Sequence, residues 1–141
     1  MADRAVTRMF GAGRVTATRS IIARTVKGMP RAFTAEDLAD AVRGKAGSSA
    51  PSLATVYRAL AAMEATGSIE RVGTRTGSAL FATCEAHSHH HHIVCDRCGK
   101  TAHAECPVID TTPRPDGFVV TRHEVMLYGI CADCASKEVR D

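Results

Sequence analysis

The sequence of 141 residues predicts an α+β protein with two different halves, and three observations support this prediction. Apolar residues recur at helical spacing before residue 67, and strand-forming residues dominate several of the runs that follow. Residues 1–83 contain neither Cys nor His, so all six cysteines and all seven histidines lie in residues 84–141. Net charge is uneven too, at +6 for residues 1–83 and −3 for residues 84–141. A basic half suited to a polyanion is therefore expected beside a half rich in soft metal ligands, unless the charge imbalance merely reflects solvated surfaces.

Two helices are expected in the first part of the chain. Residues 14–27 form the first helix, and Gly28 and Pro30 end it. Thr34 is a typical N-cap for the second helix, in which Asp37 occupies the third position. Both segments place apolar residues at the spacing of one buried helical face.

A third helix follows a loop rich in Gly, Ser and Pro at residues 43–51. Ser52 caps this helix and Gly67 ends it. Two short strands, at residues 68–72 and 79–83, then flank a turn. Helix, helix, loop, helix and a two-stranded ribbon is the element order of a winged helix-turn-helix, whose third helix enters the DNA major groove. The alternative is a small helical domain with an incidental hairpin.

The second half is predicted to be a small α+β unit with a sheet. Residues 89–95 have an extended pattern, residues 101–106 are suited to pair with them, and residues 117–128 are rich in strand formers. Pro113 and Pro115 allow only a short helix in the intervening segment.

Four cysteines form two CxxC motifs that together predict a structural zinc site. A CxxC turn directs both thiolates to one point, and two such turns supply the tetrahedral four-sulfur shell that zinc accepts. This closed shell leaves no position for a substrate, so its role is to stabilise the fold. The alternatives are redox-active pairs or free buried thiols. The four residues are Cys95, Cys98, Cys131 and Cys134.

Four consecutive histidines lead into the extended segment at residues 89–95. Since alternate residues of a strand point to opposite faces, His89 and His91 face one side and His90 and His92 face the other. Each pair can hold one metal ion, although a solvated polar loop is the alternative. Spacing alone does not choose the further ligands among Glu70, Cys84, Glu85, His87, His103, Glu105, Cys106, Asp110, His123 and Glu124.

Three segments of the chain carry a resemblance to a known family. They are SLATVYRALAAMEATGSIERV, HHHHIVCDRCGK and YGICADC, and the sequence resembles the ferric uptake regulator family of metal-dependent bacterial repressors over roughly residues 10–135. The resemblance implies a homodimer. Each chain would contain a winged-helix DNA-binding domain at residues 1–84, a hinge with metal ligands at residues 85–92 and a dimerisation domain at residues 93–141.

Within this family the sequence is most similar to the zinc uptake regulators. The resemblance implies a sensory zinc on Glu70, Cys84, His90 and His92. It also implies a third site on His89, His91, Asp110 and His123, so that each subunit holds two or three zinc ions. Iron and peroxide sensors of the family usually take a His from the loop before the second helix, and residues 31–34 contain none. Together with Cys84, this absence favours zinc.

The resemblance further implies which residues contact DNA. Tyr57 would lie against a thymine methyl group and Arg58 on a phosphate, with Thr55 as a further contact from the same helix. Arg14 and Arg19 would reach the backbone or the minor groove. His103 and Cys106 match no ligand of the family, whereas His87 competes as one because an extra residue precedes the histidine tract.

These patterns lead to the hypothesis of a cytoplasmic, zinc-responsive transcriptional repressor that binds operator DNA as a homodimer and controls metal uptake genes. The alternatives are an iron, nickel or peroxide sensor of the same family, or a metal buffer that does not bind DNA. An enzyme is disfavoured because no HExxH motif is present and the CxxC pairs leave no open metal position. No membrane span is expected, because the apolar runs are only a few residues long.

Overall fold

A computed structural model describes residues 4–84, 90–105, 115–121, 123 and 125–138. The chain divides into two compact units, Met1–Glu85 and Ala86–Asp141. Among the described residues, no helix is both long enough and apolar enough to cross a membrane.

The described residues of the N-terminal unit, 4–84, form four α-helices, a short 3-10 helix and a two-stranded sheet, which confirms the predicted winged-helix order. In chain order the elements are α1 (Arg4–Phe10), α2 (Ala17–Gly28), α3 (Ala35–Ala46), the 3-10 turn (Gly47–Ser49), α4 (Leu53–Ala65), β1 (Ile69–Arg75) and β2 (Ser78–Thr83). Helix α1 was not expected from the sequence. The predicted loop at residues 43–51 was too long, because α3 continues to Ala46 before the chain turns.

Side-chain caps explain where three of these helices begin. Thr16 accepts a hydrogen bond from the Arg19 amide at 3.2 Å, so α2 starts three residues later than the apolar pattern suggested. Thr34 and Asp37 form the reciprocal capping box of α3, with the two hydrogen bonds at 3.2 and 3.0 Å. Ser52 caps α4 by accepting from the Thr55 amide at 3.2 Å.

The strands β1 and β2 form a hairpin that is longer than predicted. They pair antiparallel from Ile69 opposite Thr83 to Arg75 opposite Ser78, which leaves only Thr76 and Gly77 in the turn. Both turn residues have positive φ, 49° and 84°, as a two-residue hairpin turn of this hand requires. The ladder therefore extends through most of the predicted turn.

One apolar cluster holds the helices and the hairpin of this unit together. Its largest fully buried side chains include Phe33, Leu38, Leu60 and Met63. Phe33 and Phe81 also exchange two backbone hydrogen bonds, at 2.9 and 2.8 Å, which attach the segment before α3 to the hairpin. The opposite face of α4 is thereby left in solvent.

The described residues of the C-terminal unit form a three-stranded sheet with the order β4–β3–β5. Strand β3 (His91–Cys95) pairs antiparallel with β4 (Thr101–Ala104) and parallel with β5 (Met126–Gly129), and α5 (Ala132–Glu138) follows. The predicted strand over residues 117–128 is wrong for its first part, since residues 117–121 form no strand. These residues pair with no strand of the described chain, and Phe118 and Val119 are 72% and 84% exposed. High β-propensity gives a strand only where an edge is available for pairing.

Candidate metal centres and nucleic-acid interface

In the C-terminal unit, the two CxxC motifs lie at the same end of the sheet, where the parallel strands β3 and β5 end. Cys95 ends β3 and lies opposite Gly129 of the parallel strand β5, after which Cys131 and Cys134 follow directly. The first motif is folded back by hydrogen bonds from the Cys95 amide to the Lys100 carbonyl at 2.8 Å and from the Gly99 amide to the Cys95 carbonyl at 2.9 Å. A parallel register and one tight turn thus place four sulfurs together.

The geometry of these four sulfurs fits a tetrahedral metal ion. Their Sγ atoms all lie within 4.8 Å of one another, and those of Cys98 and Cys131 are 3.7 Å apart. Zinc bound at about 2.3 Å by four thiolates separates neighbouring sulfurs by about 3.8 Å. All four cysteines are free thiols. The residues Cys95, Cys98, Cys131 and Cys134 therefore fit the structural zinc that their spacing predicted.

The four thiols differ in how readily they ionise. Hydrogen bonds from backbone amides, first that of Cys131 and then that of Cys98, lower the pKa of Cys95 to about 6. Hydrogen bonding to Cys131, followed by burial, raises the pKa of Cys134 to about 12. The protein thus stabilises negative charge at one end of the cluster, and a bound cation would stabilise the remaining thiolates.

Two ion pairs join the first CxxC turn to α5. The Lys100 Nζ lies 3.1 Å from the Asp133 Oδ2, and this hydrogen bond raises the pKa of Lys100. A second ion pair joins the Arg97 guanidinium to the Glu138 carboxylate. Both pairs are exposed and individually weak, but they connect the two segments that carry the cysteines.

The histidine tract places its described rings in two groups. The ring centroids of His90 and His92 are 5.1 Å apart, whereas the ring of His91 lies 5.2 Å from that of His123. His91 also accepts a hydrogen bond from the Val125 amide at its Nδ1, at 3.3 Å. His91 and His92 are both buried, at 4% and 3% exposure.

His103 joins the first group, although it matches no ligand of the family and was expected to be a core or surface residue. The register of β3 and β4 sets His103 opposite His92, and its ring centroid lies 4.6 Å from His90 and 5.3 Å from His92. The signal that could have found it is the hairpin itself, because a turn at residues 96–100 fixes which residue faces His92. Among the described residues, three imidazoles therefore cluster beside the pairing of β3 with β4.

Within the N-terminal unit, Glu70 and Cys84 lie together at the open end of the hairpin. Glu70 pairs with Ala82, and the Cys84 amide donates to the Ser68 carbonyl at 3.0 Å. Residues 82 and 84 share a face, so Cys84 is a diagonal neighbour of Glu70. A carboxylate oxygen of Glu70 and the Cys84 Sγ lie within 4.8 Å of each other. Both side chains are partly exposed.

The proposed third site is described only in part. His91 and His123 lie close together, whereas its other two predicted ligands, His89 and Asp110, fall outside the described residues. The remaining candidates outside them are Glu85, His87, Cys106 and Glu124.

The predicted DNA-contacting residues of α4 lie on its solvent face. Tyr57 is 47% exposed, and Arg58 is exposed beside it. The Arg58 guanidinium donates to the Thr55 Oγ1 at 3.1 Å. The Tyr57 hydroxyl donates to the Glu36 carboxylate at 2.9 Å.

The two predicted arginines before and within α2 contact each other. The Arg19 guanidinium donates to the Arg14 carbonyl at 3.2 Å and lies over the Phe10 ring, 5.0 Å from its centroid. This stacking holds Arg19 in place. The Arg14 side chain itself is exposed.

Comparison with known proteins identifies the family. The model of the ferric uptake regulator family matches residues 11–128, which is most of the chain and includes the winged helix, the histidine tract and the first CxxC motif. The chain belongs to the ferric uptake regulator family.

The chain is similar to members of the ferric uptake regulator family that are named for different metals. It is 31% identical over 133 residues to the zinc uptake regulation protein of Mycobacterium tuberculosis, covering 91% of this chain and 100% of that protein. It is 34% identical over 92 residues to the ferric uptake regulation protein of Neisseria meningitidis, covering 62% of this chain. That alignment spans 63% of the Neisseria protein's length.

The fold is also shared with solved structures. A zinc uptake regulator complexed with zinc and DNA is similar with a TM-score of 0.67 and 24% identity, covering 89% of this chain and 86% of that chain. This similarity supports a fold in which a winged helix is followed by a small unit of strands and helix.

Proposed function

We propose that this protein is a zinc-responsive transcriptional repressor that binds operator DNA as a homodimer and controls metal uptake genes. Glu70, Cys84, His90 and His92 hold the sensory zinc, and the four CxxC cysteines hold a structural one. His89, His91, Asp110 and His123 are the ligands of a third site, so each subunit binds two or three zinc ions. The observation that carries the proposal is the thiol of Cys84 beside the carboxylate of Glu70.

The donor set supports zinc over harder metals. A thiolate combined with imidazoles suits zinc, whereas manganese prefers carboxylates, carbonyls and water. The described loop before α3, residues 31–34, supplies no histidine for an iron site of the usual kind in this family. The similarity to the zinc uptake regulation protein of Mycobacterium tuberculosis extends over the whole of that protein and supports the same metal.

The position of the ligands in the chain supports a regulatory role. Glu70 and Cys84 belong to the N-terminal unit, and His90 and His92 belong to the C-terminal unit. A metal ion bound by all four ligands favours those arrangements of the two units in which the ligands meet. Zinc bound in this way would act as a ligand that selects the arrangement able to bind DNA.

The N-terminal unit supports DNA as the partner. Its net charge is +6 over residues 1–83, and the exposed face of α4 presents Tyr57 and Arg58. In a winged helix the second helix of the helix-turn-helix, here α4, enters the major groove, while arginines contact phosphates. Thr55, Arg14 and Arg19 are the further contacts in the proposed complex.

Replacement of Cys84 by Ser tests the sensory site. The Cys84→Ser and His90→Ala proteins should each need at least about tenfold more free zinc for half-maximal DNA binding, because even loss of an outer-shell partner commonly costs that much affinity. Both should keep the structural zinc. The measurement is fluorescence anisotropy in zinc buffers, with a labelled duplex first selected from a random-sequence library by the zinc-loaded wild type.

His123→Ala is the matched control, because it removes an imidazole from the other group of rings and should change the zinc response less. A Cys84→Ser protein that responds to zinc like the wild type would remove the main support for zinc sensing. After a chelator has removed the bound metal, DNA binding that is restored by added Fe²⁺ or Ni²⁺ but not by Zn²⁺ would instead establish an iron or nickel sensor. Failure of the wild type to enrich any duplex would leave a metal buffer.

A further inference from the structure

The hydrogen bond between Tyr57 and Glu36 has no part in the function proposed above. Tyr57 lies in α4 and Glu36 in the first turn of α3, so the contact joins the two helices of the helix-turn-helix. The two oxygens are 2.9 Å apart, and both side chains are exposed. The contact therefore lies on the solvent face of α4, close to the arginine expected on the phosphates.

The direction of this hydrogen bond follows from the chemistry of the two groups. Hydrogen bonding by the backbone amide of Glu36, and then by the Tyr57 hydroxyl, holds the pKa of the Glu36 carboxyl below its ordinary value. The same contact raises the pKa of Tyr57. At neutral pH the carboxylate is thus ionised and can only accept, while the phenol is protonated and donates its single hydrogen.

A phenol that has donated its hydrogen retains only acceptor capacity. Its oxygen can still accept a hydrogen bond from a partner, but it has no hydrogen left for an acceptor. In the major groove the hydrogen-bond donors are the N6 amino group of adenine and the N4 amino group of cytosine, whereas guanine O6, thymine O4 and purine N7 accept. The state of the Tyr57 hydroxyl therefore limits which base edges it can contact.

We propose that Glu36 is a positioning residue for base recognition, which holds the Tyr57 hydroxyl so that it accepts a hydrogen bond from an exocyclic amino group of adenine or cytosine. The inference rests on the DNA binding proposed above. It also explains the placement of a carboxylate on a face that approaches phosphates, where a negative charge lowers affinity for every sequence. Glu36 exchanges some general affinity for discrimination between bases.

Two substitutions separate this role from a purely electrostatic one. Glu36→Gln removes the charge and allows the Tyr57 hydroxyl to turn and donate, while Tyr57→Phe removes the hydroxyl itself. Asp40→Asn is the matched control, because Asp40 is an exposed acid on the same helix whose ion pair is with Arg43. All three side chains are exposed, so the fold of the unit should not change.

The experiment uses the full-length zinc-loaded protein and a duplex library with a random central segment. The wild type should enrich a motif, and Tyr57→Phe should relax it at one base pair of each half-site. At that pair, purine is then substituted for adenine, or 2-pyrimidinone for cytosine, which removes the amino group. The wild type should lose about fivefold in affinity, as expected for one hydrogen bond, while Glu36→Gln and Tyr57→Phe should each lose less than twofold.

The possible outcomes are distinct. If the wild type enriches no motif, DNA recognition as proposed above fails and this inference fails with it. If a motif is enriched but Glu36→Gln keeps the full fivefold sensitivity to the amino group, Glu36 does not set the hydroxyl. Equal behaviour of Glu36→Gln and Asp40→Asn, with a uniform rise in affinity, would likewise overturn the inference and leave only a charge effect.

Discussion

Asp37 shows how one residue can support both a helix and the hairpin. Its carboxylate accepts the Thr34 amide hydrogen at 3.0 Å and also pairs with Arg75 of β1. Burial by itself raises the pKa of Asp37, but the hydrogen bond from Thr34 and the Arg75 guanidinium outweigh it and hold the pKa below its ordinary value. The ionised form therefore stabilises the folded state at neutral pH, and this contribution is lost as pH falls through the lowered value.

Asp37→Asn should lower the free energy of unfolding at pH 7, because the neutral amide keeps the cap geometry but loses the charge that Arg75 pairs with. The difference from the wild type should narrow as pH falls from 7 through the lowered pKa of the wild-type carboxyl, which then becomes protonated. Urea denaturation of both proteins across this pH range measures the difference in the free energy of unfolding. Asp40→Asn is the control and should change stability by less than about 0.5 kcal/mol, because its pair with Arg43 is exposed. A gap that stays constant with pH would contradict the role of the charge.

Among the elements, α4 has one buried and one exposed face that can be compared with the same residue type. Leu60 is 1% exposed and belongs to the apolar cluster, while Leu53 at the start of the helix is 42% exposed. Leu60→Ala should destabilise the N-terminal unit by about 2–5 kcal/mol through lost burial and the cavity that remains. Leu53→Ala should cost less than about 1 kcal/mol. Thermal denaturation of the two variants measures both losses of stability. Equal losses would contradict the assignment of a buried and an exposed face.

Elements with strong local signals could be predicted from the sequence, and those that depend on distant partners could not. The start of α4 at residue 53 followed from its Ser52 cap, and its apolar spacing identified the buried face. Helix α1 was missed because it has only seven residues and is buried through Val6, Met9 and Phe10 against other helices. A short helix is stable only through such tertiary packing, which local periodicity does not reveal.

The same distinction applies to the candidate sites. The CxxC spacing was sufficient to predict the four-sulfur cluster, because each motif is itself a turn that brings two sulfurs together. His103 was one of several candidate ligands but could not be selected from the sequence, because its position opposite His92 depends on the register between two strands. In this hairpin the register is set by the turn at residues 96–100, whose exact length the strand-forming pattern of the sequence does not define.

For the whole molecule, the two units differ in what stabilises them. The N-terminal unit has one apolar cluster drawn from its helices and its hairpin. Among the described residues of the C-terminal unit, the buried hydrophobic side chains are Val94, Cys95 and Cys134, and two of these three are proposed zinc ligands. So small a core requires a further source of stability, which the proposed four-thiolate zinc would supply.

Loss of the structural zinc should therefore unfold the C-terminal unit and leave the N-terminal unit folded. In Cys131→Ser, which removes one of the four sulfurs, the amides of β3, β4 and β5 should lose protection from hydrogen exchange, while those of α2, α3 and α4 remain protected. The measurement is hydrogen exchange by mass spectrometry on the full chain, together with the bound zinc per subunit. Cys84→Ser, the matched substitution outside the four-sulfur cluster, should keep both units protected. If Cys131→Ser retained a protected β3–β4–β5 sheet, the four sulfurs would not be what stabilises this unit, and zinc there would have no structural role.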